Sequence, residues 1–291
     1  MDYDNLAKIR ARVALYTGRK SSNILDGDFA SVYRGRSLDF DDLREYAVGD
    51  NIKDIDWKSS SKTGKTLVRR FIAEKKHNVL FVVDSGAKFC ADTSAGEDKG
   101  ALAVDIFGTI AYLVDKHGDD FALMQDTDGG TYFSYFRSGA AHFENLMSMC
   151  RGNIDKNGKN GIGGLLDYIS ENIRRKMVII LITDMAGMES VNDKILRKVT
   201  VNNDLLVINI EDAYLFGYDL FDVDRGEYED EYTSHREKLL QAEKKERKKR
   251  YDRHLEDFRR YGVSTITIEK ESEIIDRVVE LFERHRHANI S

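Results

Sequence analysis

Five short runs rich in apolar residues occur along the chain, and most of them are continuous rather than alternating and contain β-branched residues. Runs of this length, bounded by polar residues, are typical of parallel strands that are buried on both faces. They predict strands at residues 79–83, 121–124, 178–182, 205–210 and 263–268. A sixth segment, 132–136, predicts an extra antiparallel strand.

Helical periodicity lies between these runs. Residues 99–117 carry a broad apolar face, and Gly118 is placed to end that helix. Shorter patterns predict helices over 143–150, 165–173 and 274–282. Strands that alternate with helices predict an α/β fold with a doubly wound, mainly parallel sheet covered by helices on both faces.

The pattern divides the chain into two regions. We expect the α/β domain to span residues 76–291. In residues 1–75, a helical pattern over 6–16 is followed by Gly- and Ser-rich connections and a polar, aromatic stretch. This region therefore predicts an N-terminal appendage that packs on the α/β domain rather than a second independent core.

Composition narrows the class of protein. The 291 residues carry 45 Lys and Arg against 51 Asp and Glu, a net charge of -6, which argues against a global nucleic-acid binder. The longest apolar run, 177–182, is far shorter than the roughly 18 residues of a membrane helix. Two cysteines, Cys90 and Cys150, and an acidic first segment without signal-peptide character predict reduced thiols in a cytoplasmic protein.

Charge is partitioned late in the chain. Residues 211–231 contain nine acidic residues and one basic residue, whereas 234–261 contain eleven Lys or Arg against six Asp or Glu. The second stretch predicts a long helix whose later half buries Tyr251, Leu255 and Phe258. Its charges indicate either a docking or anion-binding surface, or a solvated helix balanced by the preceding acidic stretch.

Two carboxylates follow predicted strands directly. Asp84 comes after the first apolar run, and Asp184, preceded by Thr183, comes after the third. In parallel α/β sheets, ligands bind at the carboxyl ends of strands near a switch in strand order. If the two strands are neighbours, the carboxylates meet there and suit Mg²⁺; alternatively, each aspartate caps the helix that follows it.

The sequence around these aspartates resembles a von Willebrand factor A domain. The residues 84–88, DSGAK, precede a long helix, and Thr183-Asp184 follows a later strand. In that family the metal-ion-dependent adhesion site has Asp-x-Ser-x-Ser after the first strand, a threonine in a middle loop and an aspartate after the fourth strand. The resemblance implies that fold and, for a complete site, a bound metal ion.

An upstream segment carries a more specific resemblance. Residues 40–57 read FDDLREYAVGDNIKDIDW, which is similar to the hallmark of the bacterial family catalogued as domain of unknown function fifty-eight. Residues 67–74 and 220–226 continue the match, and the resemblance covers about residues 30–285. The motif positions singled out are Arg44, Tyr46, Gly49, Asp50, Asp54, Asp56 and Trp57.

The departures from the adhesion-site pattern predict a site without a metal. Gly86 and Lys88 stand where the two serines are expected, and residues 162–164, near the expected threonine, carry no hydroxyl. We therefore expect no tight divalent cation and no other cofactor. The Lys88 ammonium is then expected to approach the vacated position and pair with Asp84 or Asp184, unless its side chain points to solvent.

The acidic residues of the upstream motif allow two interpretations. In the structural one, Gly49-Asp50 makes a turn, Ile55 and Trp57 pack inward, and Arg44 pairs with an aspartate. In the other, the Asp50, Asp54 and Asp56 carboxylates converge in a cleft.

The sequence favours a non-enzymatic interaction or adaptor module. The resemblance implies a partner, because proteins of this family often accompany MoxR-type AAA+ ATPases in the assembly or maturation of other proteins. Two alternatives stay open. One is a Mg²⁺-dependent adhesion-type binder that uses Asp84, Ser85, Thr183 and Asp184. The other is an acid–base hydrolase that uses the Asp50, Asp54 and Asp56 cluster.

Overall fold

A six-stranded sheet forms the centre of the protein, as seen in a computed structural model that describes residues 7–9, 11, 42–47, 52, 55–70, 76–155, 158, 161–214, 220–222, 225–229 and 237–288. Its strands are β3 (Asn78–Val83), β4 (Asp120–Thr127), β5 (Gly130–Phe133), β6 (Val178–Thr183), β7 (Asp204–Ile210) and β10 (Ser264–Ile268). Their order across the sheet is β10-β7-β6-β3-β4-β5, and only β5 is antiparallel to its neighbour.

Helices cover both faces of this sheet. On one face lie α2 (Lys99–Lys116), α3 (Ala140–Gly152) and α8 (Ile274–Ala288). On the other lie α4 (Ile162–Asn172), α5 (Met185–Ser190), α6 (Asp193–Thr200) and the end of α7 (Glu237–Arg260). Alternate residues of β3 point into the two layers, which is why its apolar run is continuous.

The predicted α/β fold class is confirmed by this arrangement. All five predicted parallel strands are present, and the predicted antiparallel strand is β5, which begins two residues earlier than expected. In α7, Phe258 is buried as predicted, whereas Tyr251 and Leu255 are half-buried. No helix in the described ranges is long and apolar enough to cross a membrane.

A small unit precedes the sheet. Strand β1 (Asp42–Glu45) pairs antiparallel with β2 (Leu67–Arg70), and α1 (Trp57–Thr63) lies between them in sequence. The Asp56 carboxylate caps α1 by accepting a 2.9 Å hydrogen bond from the Ser59 N–H. Farther upstream, the buried Ile9 packs with Leu113 and Ile275, so residues near the N-terminus contact the helical layer. A separate antiparallel pair is formed by β8 (Leu220–Asp222) and β9 (Glu227–Glu229).

Candidate functional site

Two aspartates meet at the carboxyl edge of the sheet. Strands β3 and β6 are parallel neighbours with Val83 opposite Ile182, so Asp84 and Asp184 leave adjacent strands at the same edge. The Asp84 N–H donates a 2.9 Å hydrogen bond to the Ile182 carbonyl, which extends the pairing by one residue. The two strands are therefore neighbours, which is the condition under which the two carboxylates meet.

Asp84 is held by polar groups inside the protein. Only 2% of the surface of Asp84 is exposed to solvent. Its Oδ1 accepts a 3.0 Å hydrogen bond from the Gly86 N–H, and its Oδ2 accepts one of the same length from the Thr183 hydroxyl. Burial, reinforced by the negative charge of Asp184, raises the pKa of Asp84 from 3.8 to about 6.

Asp184 has two distinct partners. One oxygen caps α5 by accepting a 2.9 Å hydrogen bond from the Gly187 N–H, and the other lies 2.7 Å from the Lys99 ammonium. Burial alone would raise the pKa of Asp184, but the charge and hydrogen bond of Lys99 hold it below its usual value. Asp184 therefore serves both as a helix cap and as one half of a buried ion pair.

Lys99 supplies the cation of this edge. It is the first residue of α2, and its side chain is completely buried. The ammonium contacts Asp184 and also Asp212, which follows β7, and it lies 4.6 Å from the centre of the Phe89 ring. Burial would lower the pKa of Lys99, but the two carboxylates raise it above its usual value. The lysine is therefore charged, and its charge is shared by two aspartates.

Lys88 does not occupy the position that the sequence analysis assigned to it. Its side chain is partly buried on the 3₁₀ turn at Ala87–Cys90, and within the described part of the chain it forms no ion pair with Asp84 or Asp184. Its charge makes only a smaller contribution to lowering the pKa of Asp184. The internal cation is Lys99, which reaches the edge from the start of the next helix.

A signal for Lys99 was present in the sequence. A lysine in the first turn of a helix is unfavourable, because the helix N-terminus carries partial positive charge. Lys99 directly follows the N-cap Asp98 and yet opens an apolar helix. Asp212 also follows a strong strand, as Asp84 and Asp184 do. A first-turn lysine combined with three strand-end acids indicates an internal ion-pair network.

The donor set does not fit the divalent cation that a von Willebrand factor A fold implies. The serine positions of the pattern hold Gly86 and Lys88, and the Ser85 hydroxyl donates a hydrogen bond to the Asp126 carbonyl at the end of β4. A Cβ on Gly158 would lie 2.3 Å from the Ser85 carbonyl oxygen, so the backbone of Gly158 lies directly against this edge. Among the described residues, the Thr183 hydroxyl is bonded to Asp84 and one Asp184 oxygen is paired with Lys99, so these oxygens are already engaged and do not form an octahedral ligand set.

The upstream motif lies at the surface where the structure describes it. Trp57 is 68% exposed, which corrects the prediction that it packs inward, and Ile55 is half-buried. The reason is local: Trp57 opens α1, a surface helix in which no residue is buried. Tyr46 is also on the surface, at 37% exposure.

The proposed carboxylate cluster is only partly visible. Gly49, Asp50, Asp54 and the side chain of Arg44 lie outside the described residues. The Asp56 carboxylate is engaged as the cap of α1. Among the described residues, no three His, Cys, Asp or Glu side chains come together in a way that could hold a metal ion. The turn at Gly49-Asp50, the Arg44 ion pair and the hydrolase cluster stay predictions.

The raised pKa of Asp84 predicts a measurable pH dependence. A folded-state pKa above the unfolded value means that the native protein binds the proton more tightly, so this group lowers the free energy of unfolding as pH rises from about 4 to about 6. Replacing Asp84 by Asn removes this contribution, which is on the order of 2 kcal/mol. Urea denaturation at both ends of that window should show the variant gaining stability relative to wild type as pH rises. If the free energy of unfolding changes with pH in the same way for both proteins, the raised pKa of Asp84 is contradicted.

A protein-family model matches most of this chain, and proteins from two mycobacteria are similar to it in sequence. The family model described as "Protein of unknown function DUF58" matches residues 42–257. An uncharacterized protein of Mycobacterium tuberculosis, Rv1480, is 23% identical over 217 residues, which cover 73% of this chain and 67% of that protein. Its counterpart in Mycobacterium bovis, Mb1516, matches with the same values.

The structural likenesses are distant. The crystal structure of the conserved hypothetical protein BatB from Bacteroides thetaiotaomicron has a TM-score of 0.45 and 12% identity, and the match covers 72% of this chain and 99% of that chain. A von Willebrand factor type A structure from Catenulispora acidiphila has a TM-score of 0.43 and 11% identity, covering 76% of this chain and 44% of that chain.

Proposed function

This chain belongs to the family described as "Protein of unknown function DUF58", and from that premise we propose that it is a non-enzymatic protein-interaction module. In the finer form of the proposal, it is a cytoplasmic adaptor that works with a MoxR-type AAA+ ATPase in the assembly or maturation of other proteins. The resemblance of the upstream motif supports this partner.

The observation that carries the proposal is the burial of the polar side chains at the carboxyl edge of the sheet. Asp84, Ser85, Thr183 and Asp184 are each at most 2% exposed, and the buried Lys99 ammonium pairs with Asp184 and with Asp212. A catalytic group has to come within hydrogen-bonding distance of its substrate, and these buried groups already have hydrogen-bond partners within the protein. The edge is therefore better suited to stabilising a contact surface than to performing chemistry.

The same observation supports binding without a metal ion. A divalent cation beside Asp84 and Asp184 would meet the charge of Lys99 and would have to displace its ion pair. We expect isothermal titration of the protein with Mg²⁺ or Mn²⁺ to show no binding tighter than about 1 mM. Tighter binding that disappears in Asp84→Ala would contradict this and would favour the Mg²⁺-dependent adhesion-type alternative.

The partner is tested directly by capture. The immobilised chain should bind the MoxR-type ATPase of its source organism saturably in the presence of Mg²⁺ and ATP, and Asp84→Asn should bind equally because that carboxylate is buried. If the ATPase does not bind at any nucleotide state, the adaptor role with this ATPase is wrong, although the family assignment is unaffected.

A further inference from the structure

Helix α7 is strongly polar. It has 24 residues, and Phe258, near its C-terminal end, is the only one that is buried. The half-buried residues Leu240, Glu243, Arg247, Tyr251 and His254 follow one another at three- or four-residue spacing and mark the face towards the domain. The opposite side of the helix faces solvent over its whole length.

Some basic residues of α7 are used to attach the helix. Arg247 donates hydrogen bonds to the carbonyl oxygens of Asp212 and Ala213, at 2.8 and 2.6 Å, and Arg250 pairs with Glu189 of α5. Lys244 lies 4.8 Å from the centre of the Tyr214 ring. These contacts hold the middle of α7 next to the carboxyl edge of the sheet, because Asp212 is also a partner of Lys99.

Three other lysines of α7 do not attach the helix to the rest of the described protein. Lys245, Lys248 and Lys249 are exposed, and across the described ranges none of them forms an ion pair. Their spacing places them on one side of the helix, since residues three and four apart are neighbours on its surface. We propose that this basic ridge, defined as Lys245, Lys248 and Lys249, is the docking surface for an acidic segment of a partner protein.

The charge pattern favours a protein over the other anionic surfaces. The solvent-facing side of α7 also carries Glu246, Asp252 and Glu256, which would repel a continuous phosphate backbone. A helix that lies on a membrane presents an apolar face to the lipid, whereas Tyr251 and Phe258 of α7 pack into the protein core. An acidic protein segment places its carboxylates at intervals and so accommodates both signs of charge.

The chain's own acidic stretch is the competing occupant. Of its described residues, Glu211, Asp212 and Glu227 form no ion pair with the ridge. The part of the acidic stretch that the structure describes therefore leaves the ridge open to a partner. This inference rests on the proposed function in one respect only, namely that the chain works by binding proteins.

The test measures binding of a fluorescein-labelled peptide of alternating Glu and Ser, about twelve residues long, by fluorescence anisotropy at about 50 mM salt. The ridge variant is Lys245→Gln/Lys248→Gln/Lys249→Gln. The matched control is Lys176→Gln/Lys194→Gln/Lys270→Gln, which removes three exposed lysines elsewhere and gives the same net charge. We expect the ridge variant to lose roughly tenfold or more in affinity and the control to lose less than about twofold.

Several outcomes would overturn the proposal. Equal losses in the two variants would mean that only net charge matters. Tighter binding of duplex DNA or of phosphatidylserine vesicles than of the peptide, with the same dependence on the ridge, would assign a phosphate-bearing ligand instead. No peptide binding by wild type, together with a lowered unfolding midpoint of the ridge variant, would assign these lysines to the chain's own acidic stretch.

Capture of the MoxR-type ATPase by the same three proteins separates the two proposals. Equal capture by all three, without peptide binding, overturns the ridge and leaves the adaptor role standing. Peptide binding that depends on the ridge, without capture of the ATPase, supports the ridge and removes that partner. Reduced capture by the ridge variant alone supports both.

Discussion

Replacing Lys99 by Met is expected to destabilise the protein by about 3–5 kcal/mol at neutral pH, because it leaves the buried Asp184 carboxylate without its cation. Methionine fills a similar volume, so the loss is chiefly electrostatic. Lys198→Met is a matched control: Lys198 also bridges two carboxylates, Asp167 at 2.9 Å and Glu171 at 2.8 Å, but at the surface. Urea denaturation should give less than about 1 kcal/mol for that variant.

The origin of the Lys99 effect can be checked in two further ways. Without Lys99, the pKa of Asp184 should rise because its main opposing charge is gone, so the destabilisation should diminish as pH is lowered. Adding Asp184→Asn to Lys99→Met should restore part of the lost stability, since it removes the unpaired charge. Similar small losses for Lys99→Met and Lys198→Met would show that the buried network contributes little.

Gly187→Ala is expected to cost about 2–4 kcal/mol, although alanine is normally the better helix former. A Cβ at position 187 would lie 1.8 Å from the Thr183 hydroxyl oxygen and 3.2 Å from an Asp84 carboxylate oxygen. Thr183 is fully buried and its hydroxyl bonds to Asp84, so either this bond or the Gly187–Asp184 cap has to break. The unfolding midpoint and its denaturant dependence measure the loss.

The control for this clash is Gly164→Ala in α4. Nothing lies within 4 Å of a Cβ at position 164, and the residue is exposed, so this variant should be neutral or gain up to about 1 kcal/mol. Thr183→Ala combined with Gly187→Ala should lose less stability than the sum of the single variants, because the hydroxyl is no longer in the way. An additive double variant would mean that the cost arises elsewhere in α5.

Most of the fold could be predicted from the hydrophobic pattern of residues that are close in sequence. Strands such as β6 and helices such as α2 are long, strongly patterned and bounded by polar residues, so their burial can be predicted from neighbours in sequence. The antiparallel β5 is a weaker case, since its residues are mostly exposed and its start was misplaced by two positions. Trp57 shows the limit of residue type: an aromatic side chain predicts burial, but its place at the start of a surface helix exposes it.

The amino-acid sequence by itself determined the α/β class, the two aspartates at the strand ends and the absence of two metal-site serines. Only the tertiary structure decided which lysine pairs with the aspartates at the strand ends. Lys99 and Lys88 lie in the same connection after β3, but the contacts of Lys99 span 85 and 113 residues to Asp184 and Asp212. Those contacts form only when β3, β6 and β7 are adjacent and α2 starts beneath their ends. The residues next to Lys99 in sequence do not reveal these long-range partners. Whether a charge is buried and paired depends on all the elements that surround it in the folded protein.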